Sequence, residues 1–583
     1  MVGIDLKFIF NGRFQGYNRK HFQNDLVSGL IVGIVAIPLG MAFAIASGVK
    51  PEYGLYTTIV AGIIISLLGG SKFQIGGPTG AFIPILFAIV MQYGYEDLLI
   101  AGFLAGVILL FMGLFKFGGV IKYIPRPVTI GFTTGIAVTI FTGQIANFLG
   151  LSNLQKHQDF LSNMKELGLH ISTINIYSIL TAVICLVFIL LTPKFFPKVP
   201  GSLVGILVST IAATIFYPDK VATIGSTYGS IPNSMPNIHF PALSIEHIQS
   251  LIKPAFVIAM LGGIESLLSA VVADGMSGTR HNSNRELIGQ GIANMITPLF
   301  GGIPATGAIA RTATNIKSGA KSPLSGIIHG LIVLLVLFLF APFASNIPLA
   351  SMAPILMVVA WNMSERKVFA HVLKTRTAES IVLLITFILT IFTDLTTAVE
   401  VGLVLSGIVF VVHMSNLLIT KKVLPDPADK NKKVSAHIVN EQNNCPQMSI
   451  YTVEGALFFG VATMFEKSIM DEMKYKPKLL ILKMGNVSYL DSTGESNLSS
   501  VIKHFRMHGG MIIISEIQDQ PRRMLRKTKL DEYIGMEHFF KNTGDALSFA
   551  LTKLDHAQCI GCKQFAFHEC DDLSSENIQQ LAD

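Results

Sequence analysis

Long apolar runs constrain this chain more than any other feature. A transmembrane helix needs about 20 mostly apolar residues, and fourteen such runs, two of them short (79–93 and 306–317), follow one another along the sequence. The other twelve lie at 26–47, 53–69, 98–115, 127–149, 174–192, 201–217, 254–273, 286–300, 323–345, 349–363, 377–393 and 396–419. Charged residues make up only 14% of the 583 residues, whereas soluble domains carry about 25%. The pattern predicts a polytopic α-helical membrane protein, excludes a disordered chain and nearly excludes a purely soluble enzyme, because so few charges cannot build a water-facing surface.

Lysine and arginine are distributed unevenly over the loops between the runs. If the N-terminus is cytoplasmic, the cytoplasmic loops hold fourteen of these residues and the opposite loops hold five. Cytoplasmic loops of membrane proteins are enriched in positive charge. We therefore expect a multi-pass protein of the cell membrane with both termini in the cytoplasm. The net charge of +7 lies largely in these loops, so it does not indicate a nucleic-acid partner.

The composition changes after Thr420. Residues 421–435 are charged and contain proline, which is typical of a linker. Beyond them, strand-like segments such as LFFGVA (from Leu457), KLLILKM and GMIIISE alternate with helical patterns, which predicts a small cytoplasmic α/β domain. The predicted organisation is a cytoplasmic segment (1–25), a transport domain in the membrane (26–420), the linker, an α/β domain (436–555) and a tail (556–583).

An internal repeat carries the strongest functional signal. GGPTGAF begins at Gly76 and GGIPATGAIA at Gly301, and each opens the short third run of a set of seven. Two corresponding Gly/Pro-interrupted spans are typical of inverted-repeat transporters, and an odd number of spans inverts the second copy. Each segment should begin a half-helix whose first N–H groups have no intrahelical partner and carry the positive end of the helix dipole. Two such N-termini that face each other form an anion site; alternatively, Gly and Pro only kink packed helices.

Two ionisable residues lie deep inside the runs. Glu265 lies in IESLLSAVV and Arg311 in GAIARTATN, where a charge costs about 2.5–3.5 kcal/mol or more. Ser266 and Ser269 are expected to hydrogen-bond Glu265. Either Glu265 and Arg311 form a structural ion pair, or Glu265 couples an ion, usually a proton, to transport. Arg311 disfavours sodium, because like charges repel strongly at low dielectric. If a proton is the coupled ion, an arriving anion binds Arg311 in place of Glu265. Glu265 then loses its positive partner and gains a negative neighbour, and both changes favour its protonation.

Three long segments then identify a family resemblance. They are AIPLGMAFAIASGVKPEYGLY from Ala36, IPRPVTIGFTTG from Ile124 and RHNSNRELIGQGIANMITPLFGGIPATGAIARTATNIKSGA from Arg280. The chain resembles the SulP family of anion transporters over about 20–555, and its C-terminal domain resembles a STAS domain with SYLDSTG at the DSSG-type loop. The resemblance implies seven-plus-seven inverted-repeat spans, a core of spans 1–4 and 8–11, a gate formed by the others, a homodimer and elevator-like motion.

The resemblance also implies site residues. It places the anion at Thr79, Gly80 and Ala81 on one half-helix and at Ala308, Ile309 and Ala310 on the other, beside Arg311. It adds Met41 and Phe43 from the first span as pocket lining, and it makes Glu265, with Ser269, the ion-coupling position. Family substrates include sulfate, bicarbonate, chloride, oxalate and dicarboxylates.

The expected function is secondary active transport of a small inorganic anion, foremost sulfate, by proton-coupled symport. Two alternatives within the family are a sodium-coupled bicarbonate transporter and an anion exchanger. A third, from another class, is a membrane-bound anion sensor that signals through STAS. We do not expect an enzyme, because the sequence has no nucleotide-binding loop, no His/Glu metal motif inside the spans and no convincing nucleophile with a base.

Two features of the C-terminal part remain open. Ser492 occupies the position that bacterial STAS regulators phosphorylate, and the family uses this domain for cytoplasmic partners; alternatively, residues 491–493 begin a helix as its N-cap. In the tail, Cys559, Cys562, His568 and Cys570 resemble the ligands of a zinc site, or they are free thiols beside a chain end.

Overall fold

The structure is a computed structural model of the 583-residue chain. The residues that it describes are 13, 17–119, 124–196, 199–236, 238, 245–393, 395–425, 434–435, 444–461, 465–467, 469–470, 477–564, 566–567 and 569–570. The chain divides into two compact units, Met1–Ser406 and Gly407–Asp583. The boundary therefore lies fourteen residues before the predicted end of the membrane domain at Thr420.

Each of the fourteen predicted apolar runs is occupied by a helix. In the first half these are α1 Arg19–Ala46, α2 Pro51–Leu68, α3 Ile83–Tyr93, α4 Tyr95–Leu114, α5 Arg126–Gly143, α6 Ile176–Phe195 and α7 Gly201–Phe216. In the second half they are α8 Ile245–Ser277, α9 Ser283–Ile296, α10 Ile309–Lys317, α11 Leu324–Ala344, α12 Leu349–Met363, α13 Ala378–Phe392 and α14 Leu395–Ser415.

Length and apolarity mark these helices as those of a membrane protein. Eight helices of the described chain are long and apolar enough to cross a membrane, and three shorter apolar ones lie at Gly80–Tyr93, Gly201–Phe216 and Ala378–Phe392. Large apolar side chains such as Phe216 and Phe343 remain 79% and 68% exposed. Exposed apolar surface of this extent is unfavourable in water, so these helices are suited to a lipid environment.

Several of these helices begin at residues that are typical of helix N-termini. The side chains of Asn18, Asn175 and Asn282 accept hydrogen bonds from the first-turn amides of α1, α6 and α9, as N-cap residues do. Proline lies in the first turn of α2 and α5, where its missing N–H costs nothing. Helix α10 begins at Ile309, three residues after its predicted start, because Thr306 and Gly307 form a strand.

The helices of the membrane unit pack in reciprocal pairs. Three contacts each have a counterpart. The contact of α1 with α11 corresponds to that of α8 with α4, and the contact of α2 with α11 corresponds to that of α9 with α4. The contact of α5 with α13 corresponds to that of α12 with α6. In each case the helix numbers of the two contacts differ by seven: the helix from the first half is replaced by its counterpart in the second half, and the helix from the second half by its counterpart in the first. Helices α1, α2, α4, α8, α9 and α11 pack extensively on one another, and α5, α6, α7, α12 and α13 form a second group.

The C-terminal unit contains a five-stranded sheet flanked by helices. Its strands are β3 Ile419–Lys422, β4 Met448–Glu454, β5 Leu479–Asn486, β6 Met511–Ser515 and β7 Phe539–Phe540, and they lie in that order across the sheet. Strand β3 is antiparallel to β4, and the other neighbours are parallel. Its longer helices are α15 Ser492–Met507, α16 Asp519–Thr528 and α17 Thr543–Leu551.

Two expectations for this unit were wrong. The apolar segment from Leu457 is a bridge and a turn, not a strand, because the chain must leave the sheet there to reach the next helix. The predicted linker also begins with structure: Lys421 and Lys422 belong to β3, and Val423 and Leu424 are 3% and 1% exposed. The charged pair Lys421–Lys422 and the proline after it are typical of a linker, so the sequence did not indicate a strand here. The segment is nevertheless an edge strand of the sheet, a position at which lysine is common.

The edge strand gives a stability prediction. A soluble fragment that begins at residue 417 should be more stable than one that begins at 436, because the shorter one loses Val423, Leu424 and the pairing of β3 with β4. Burial of two such side chains stabilises by about 3–6 kcal/mol. Urea unfolding of both fragments measures the difference, and equal midpoints would show that β3 adds nothing to the domain.

Candidate functional site

The two Gly/Pro segments of the repeat meet as a short strand pair. Strand β1 (Gly76–Gly77) is antiparallel to β2 (Thr306–Gly307), with Gly76 opposite Gly307. The Ala308 amide extends the pair by donating to the Ile75 carbonyl at 2.8 Å. Two segments that lie 230 positions apart in sequence are thus adjacent and buried, as predicted from the repeat.

Gly80 and Ala81 lie at the start of the first half-helix. A 3₁₀ turn over Gly80–Phe82 leads directly into α3, so these two amides are among the first N–H groups of the half-helix. A Cβ on Gly80 would lie 3.1 Å from the sulfur of Met363, 3.5 Å from Ile140 and 3.7 Å from the ring of Phe43. Gly80 therefore faces side chains of α12, α5 and α1.

The second half-helix begins beside the strand pair. Ala308 is the N-cap residue of α10, and its own amide is already bonded to Ile75, so Ala308 anchors the helix and does not offer its N–H to a ligand. Ile309 is 36% exposed and Ala310 is also exposed. The amides of Ile309, Ala310 and Arg311 are the first N–H groups of this helix without an intrahelical partner.

Arg311 joins the two repeats. Its guanidinium is 2% exposed, and Nη2 donates to the carbonyl oxygen of Pro78 at 2.5 Å. Gly77 has φ of +149°, and a Cβ there would lie 2.7 Å from Nη1 of Arg311, so only glycine leaves room for this side chain. Among the described residues, Nη1 has no hydrogen-bond partner, and neither has the buried hydroxyl of Thr79.

The predicted environment of Glu265 was wrong in two respects. No acidic group of the described chain lies within salt-bridge distance of Arg311, so the ion pair with Glu265 is absent. The two serines are bonded elsewhere: Ser266 to Thr306 at 2.8 Å and Ser269 to Thr312 at 3.3 Å. Both face the strand pair and α10, because positions 266 and 269 share one face of α8.

Glu265 itself is buried without a partner in the described residues. Its side chain is 7% exposed and forms no hydrogen bond or ion pair to another described residue. A buried ionised carboxylate without a partner is costly. The neutral, protonated form therefore fits this surrounding better than the charged form.

Met41 and Phe43 point in different directions. Residues two apart on an α-helix differ by about 200° in direction. The Phe43 ring lies against Gly80, whereas Met41 lies with Leu55, Val333 and Leu337 around a separate apolar cavity. Phe43 lines the candidate site, and Met41 packs between α1, α2 and α11.

The structure adds polar residues that the sequence analysis missed. Glu286 is fully buried and accepts hydrogen bonds from the amides of Gly70 and Ser71 and from Gln74 and Gln290 at 2.8–3.0 Å. This network fixes the segment that enters β1, and Gln74 also donates to the Ser266 carbonyl at 3.1 Å. The polar residues Glu286 and Gln290, which interrupt the apolar run RELIGQG, were the sequence feature that could have indicated this network.

Polar side chains of α10 fix the second half-helix in the same way. Thr312 accepts a hydrogen bond from the Ile75 amide at 3.0 Å, and Asn315 donates to the Phe73 carbonyl at 2.9 Å. Both residues are fully buried. The site is therefore a rigid frame that presents half-helix amides, the Thr79 hydroxyl and one guanidinium N–H group, which together suit a small anion.

Ser492 lies at the first position of α15. Its neighbour Asp491 is the N-cap and accepts from the Gly494 amide at 2.7 Å and from the Phe459 amide at 3.0 Å. The N-cap interpretation of residues 491–493 is therefore confirmed, with Asp491 as the cap. Ser492 is exposed, and its phosphorylation remains a prediction.

The cap gives a second stability prediction. Asp491→Ala should lower the free energy of unfolding of the C-terminal unit by about 0.5–2 kcal/mol, because two amides lose their acceptor. Ser492→Ala, one position further along, should change it by less than about 0.5 kcal/mol. Thermal unfolding of the 417–583 fragment compares the two variants. If the serine variant were the less stable one, the assignment of the cap would be wrong.

The tail cysteines lie beside a fourth cysteine. Cys559, Cys562 and Cys570 line one cavity with Cys445, and His568 lies outside the described residues. Burial raises the pKa of the Cys445, Cys559 and Cys570 thiols, and neighbouring thiols raise it further. No three His, Cys, Asp or Glu side chains of the described chain are arranged to hold a metal ion as they stand.

Comparison with known proteins agrees with this architecture. Residues 22–386 match the model of the sulfate permease family, and residues 438–546 match that of the STAS domain. The Bacillus subtilis (strain 168) protein named "Putative sulfate transporter YvdB" is 56% identical over 91% of this chain and 98% of its own length. The bicarbonate transporter BicA of Picosynechococcus is 30% identical over 92% of this chain and 96% of its own length.

A solved structure shows the same fold. The structure of SLC26A9 superposes with a TM-score of 0.84 at 19% identity and covers 96% of this chain and 95% of that one. The fold is therefore that of a helical membrane transporter with a C-terminal STAS domain. On the matches over most of its length, this chain belongs to the sulfate permease family, whose members are transporters and not enzymes.

Proposed function

We propose that this chain is a secondary active transporter of a small inorganic anion, foremost sulfate, that moves the anion together with a proton. One observation carries the proposal: a buried guanidinium with an unpartnered N–H group lies at the junction of two half-helices. Arg311, the amides of Gly80 and Ala81, and the amides of Ile309 and Ala310 are the proposed anion ligands. The Thr79 hydroxyl would donate one further hydrogen bond.

Sulfate is favoured over other anions by the chemistry of the site and by similarity. A divalent oxyanion offers several acceptor oxygens to several N–H donors, and the relative YvdB bears a sulfate transporter's name. Bicarbonate is the second candidate, because the relative BicA is named a bicarbonate transporter. Bicarbonate carries one charge, so it would leave the two half-helices and Arg311 less fully neutralised.

An inverted repeat of seven-plus-seven spans is the proposed architecture. The reciprocal packing of helices whose numbers differ by seven supports it, as does the antiparallel pairing of β1 with β2. The two packing groups support a core (α1–α4 and α8–α11) that moves against a gate like an elevator. Gly80 in the core abuts Met363 and Ile140 of the gate, so movement of the core would open the pocket past these side chains.

Glu265 is the proposed proton carrier, with Ser269 as part of its surroundings. The absent ion pair changes the scheme: the anion does not have to displace Glu265 from Arg311. Because the carboxylate has no described partner, an anion held nearby raises the cost of its negative charge. Anion and proton would then enter together. Sodium remains disfavoured in the anion pocket itself, since Arg311 is one of the proposed anion ligands and like charges repel at low dielectric.

The proposed setting is the cell membrane, with both termini in the cytoplasm and two chains forming a homodimer. The STAS domain would contact a cytoplasmic partner, with Ser492 exposed for modification. A sensor that signals through STAS differs from a transporter in one respect, because it binds the anion without accumulating it.

Uptake into proteoliposomes separates these functions. Liposomes with purified protein receive labelled sulfate, bicarbonate or fumarate under an inward proton gradient, an inward sodium gradient or no gradient. We expect sulfate to accumulate only with the proton gradient. Accumulation of bicarbonate driven by sodium would favour the second candidate, counterflow without any gradient dependence would indicate an exchanger, and binding without uptake would indicate a sensor.

A further inference from the structure

Four of the chain's five cysteines surround one cavity in the C-terminal unit. Cys445 precedes β4, whereas Cys559, Cys562 and Cys570 lie more than 110 positions later. We propose that Cys445, Cys559, Cys562 and Cys570 form a structural zinc site that fixes the tail to the beginning of β4. The proposal replaces His568 of the sequence-based assignment with Cys445 and is independent of the anion site.

Contacts around the cavity hold the tail next to Cys445. The side-chain amide of Gln447 donates to the Asp555 carbonyl at 3.0 Å, and its oxygen accepts from the Asp555 amide at 2.8 Å. The same amide group also donates to the sulfur of Cys559 at 3.5 Å. Phe567 is 4% exposed in the cluster that contains Cys445. Specific contacts before Cys559 and between Cys562 and Cys570 therefore hold the tail next to Cys445.

The backbone between the tail cysteines has the turn that a Cys-x₂-Cys ligand pair needs. The Cys562 amide donates to the Cys559 carbonyl at 3.0 Å. Gly561 lies between them at φ +72°, in the left-handed region that glycine adopts without strain. A tight turn of this kind places both side chains on one side of the chain. The Cys570 amide donates to the Phe567 carbonyl at 3.0 Å, which forms a second turn at the remaining tail ligand.

Four cysteines select a soft tetrahedral metal ion. Zinc bound by four thiolates is a common structural site, with Zn–S bonds of about 2.3 Å. No three of these side chains are arranged to hold a metal ion as they stand, so binding requires the four thiol groups to converge across the cavity that they line. Zn²⁺ displaces the thiol protons as it binds, which removes the mutual repulsion that four neighbouring thiolates would otherwise have. Calcium and magnesium prefer oxygen ligands.

Metal analysis of purified full-length protein tests the site. The protein is prepared in detergent without added chelator, and its metal is quantified by mass spectrometry. We expect about one zinc per chain. After the zinc is removed with a chelator under reducing conditions, added Co²⁺ should produce the intense visible absorption of tetrahedral thiolate coordination, and Zn²⁺ should abolish it.

Two matched variants identify the fourth ligand. Cys445→Ser should weaken Co²⁺ and Zn²⁺ binding by more than the roughly 10- to 100-fold that loss of an outer-shell group costs. His568→Ala should leave both unchanged, and Cys185→Ser, which alters the cysteine outside the cavity, should do the same. Protein without zinc that gives no Co²⁺ absorption would overturn the proposal. Iron as the bound metal, a disulfide between these cysteines in freshly purified reduced protein, or unchanged binding in Cys445→Ser would also overturn it.

Discussion

Arg311→Gln should lower the apparent affinity for the transported anion by about 10- to 150-fold. The guanidinium is buried; its Nη2 donates to the Pro78 carbonyl, while its Nη1 has no described partner. A hydrogen bond to a charged group contributes about 1.5–3 kcal/mol, and each 1.4 kcal/mol corresponds to a tenfold change. Glutamine keeps a donor near Pro78 but loses the charge. Concentration dependence of labelled sulfate uptake in proteoliposomes measures the effect.

Two controls separate loss of binding from loss of structure. Arg376→Gln removes the same charge from an exposed position and should leave uptake unchanged. Arg311→Lys keeps the charge without the planar fork of donors, so it should fall between wild type and Arg311→Gln. Because Arg311 also joins the two repeats, thermal stability is measured for each variant. An Arg311→Gln protein that is stable and transports with wild-type affinity would contradict the proposed site.

Glu265→Gln should abolish accumulation driven by a proton gradient while it preserves anion binding and exchange. Glutamine resembles the protonated carboxyl group, and the unpartnered surroundings of Glu265 suit a neutral side chain. An inward gradient of about one pH unit supplies about 1.4 kcal/mol for each proton, enough for about tenfold accumulation. The variant should therefore reach only equal anion concentrations inside and outside, whereas the wild type should exceed them severalfold.

Exchange of labelled for unlabelled anion shows whether the variant still binds and moves substrate. Glu379→Gln changes an exposed carboxylate in the first turn of α13 and should accumulate anion as the wild type does. The coupling scheme fails if Glu265→Gln retains proton-driven accumulation. It also fails if wild-type uptake requires sodium and is unaffected by the proton gradient.

The membrane helices were predictable because their signal is long and redundant. The run of α11 spans 21 residues, nearly all of them apolar, and a run of this kind in lipid must satisfy its backbone hydrogen bonds internally as a helix. The meeting of Gly76 with Gly307 was predictable for a different reason. Similar Gly/Pro motifs in the third run of each set of seven predicted that the two segments lie close together, which needs no knowledge of side-chain packing.

Side-chain partners were not predictable in the same way. Opposite charge suggested that Glu265 pairs with Arg311, and adjacency in sequence suggested Ser266 as a further partner. In the structure, Ser266 bonds to Thr306 and the Arg311 guanidinium donates to the Pro78 carbonyl. Met41 illustrates the same limit, because the resemblance indicated positions on α1 without specifying which side of the helix faces the pocket. The position of Cys445 beside the tail cysteines was missed because it precedes them by more than 110 positions, and only the folded domain places the four residues around one cavity.

The position of the bound anion tests the central claim most directly. Selenate resembles sulfate, and its selenium atom gives an anomalous signal in X-ray diffraction from crystals of the protein. We predict one strong peak per chain between the start of the first half-helix at Gly80 and Ala81 and the start of the second at Ile309, within hydrogen-bonding reach of Arg311. A well-ordered peak elsewhere in the membrane unit, with this pocket empty at saturating selenate, would contradict the account.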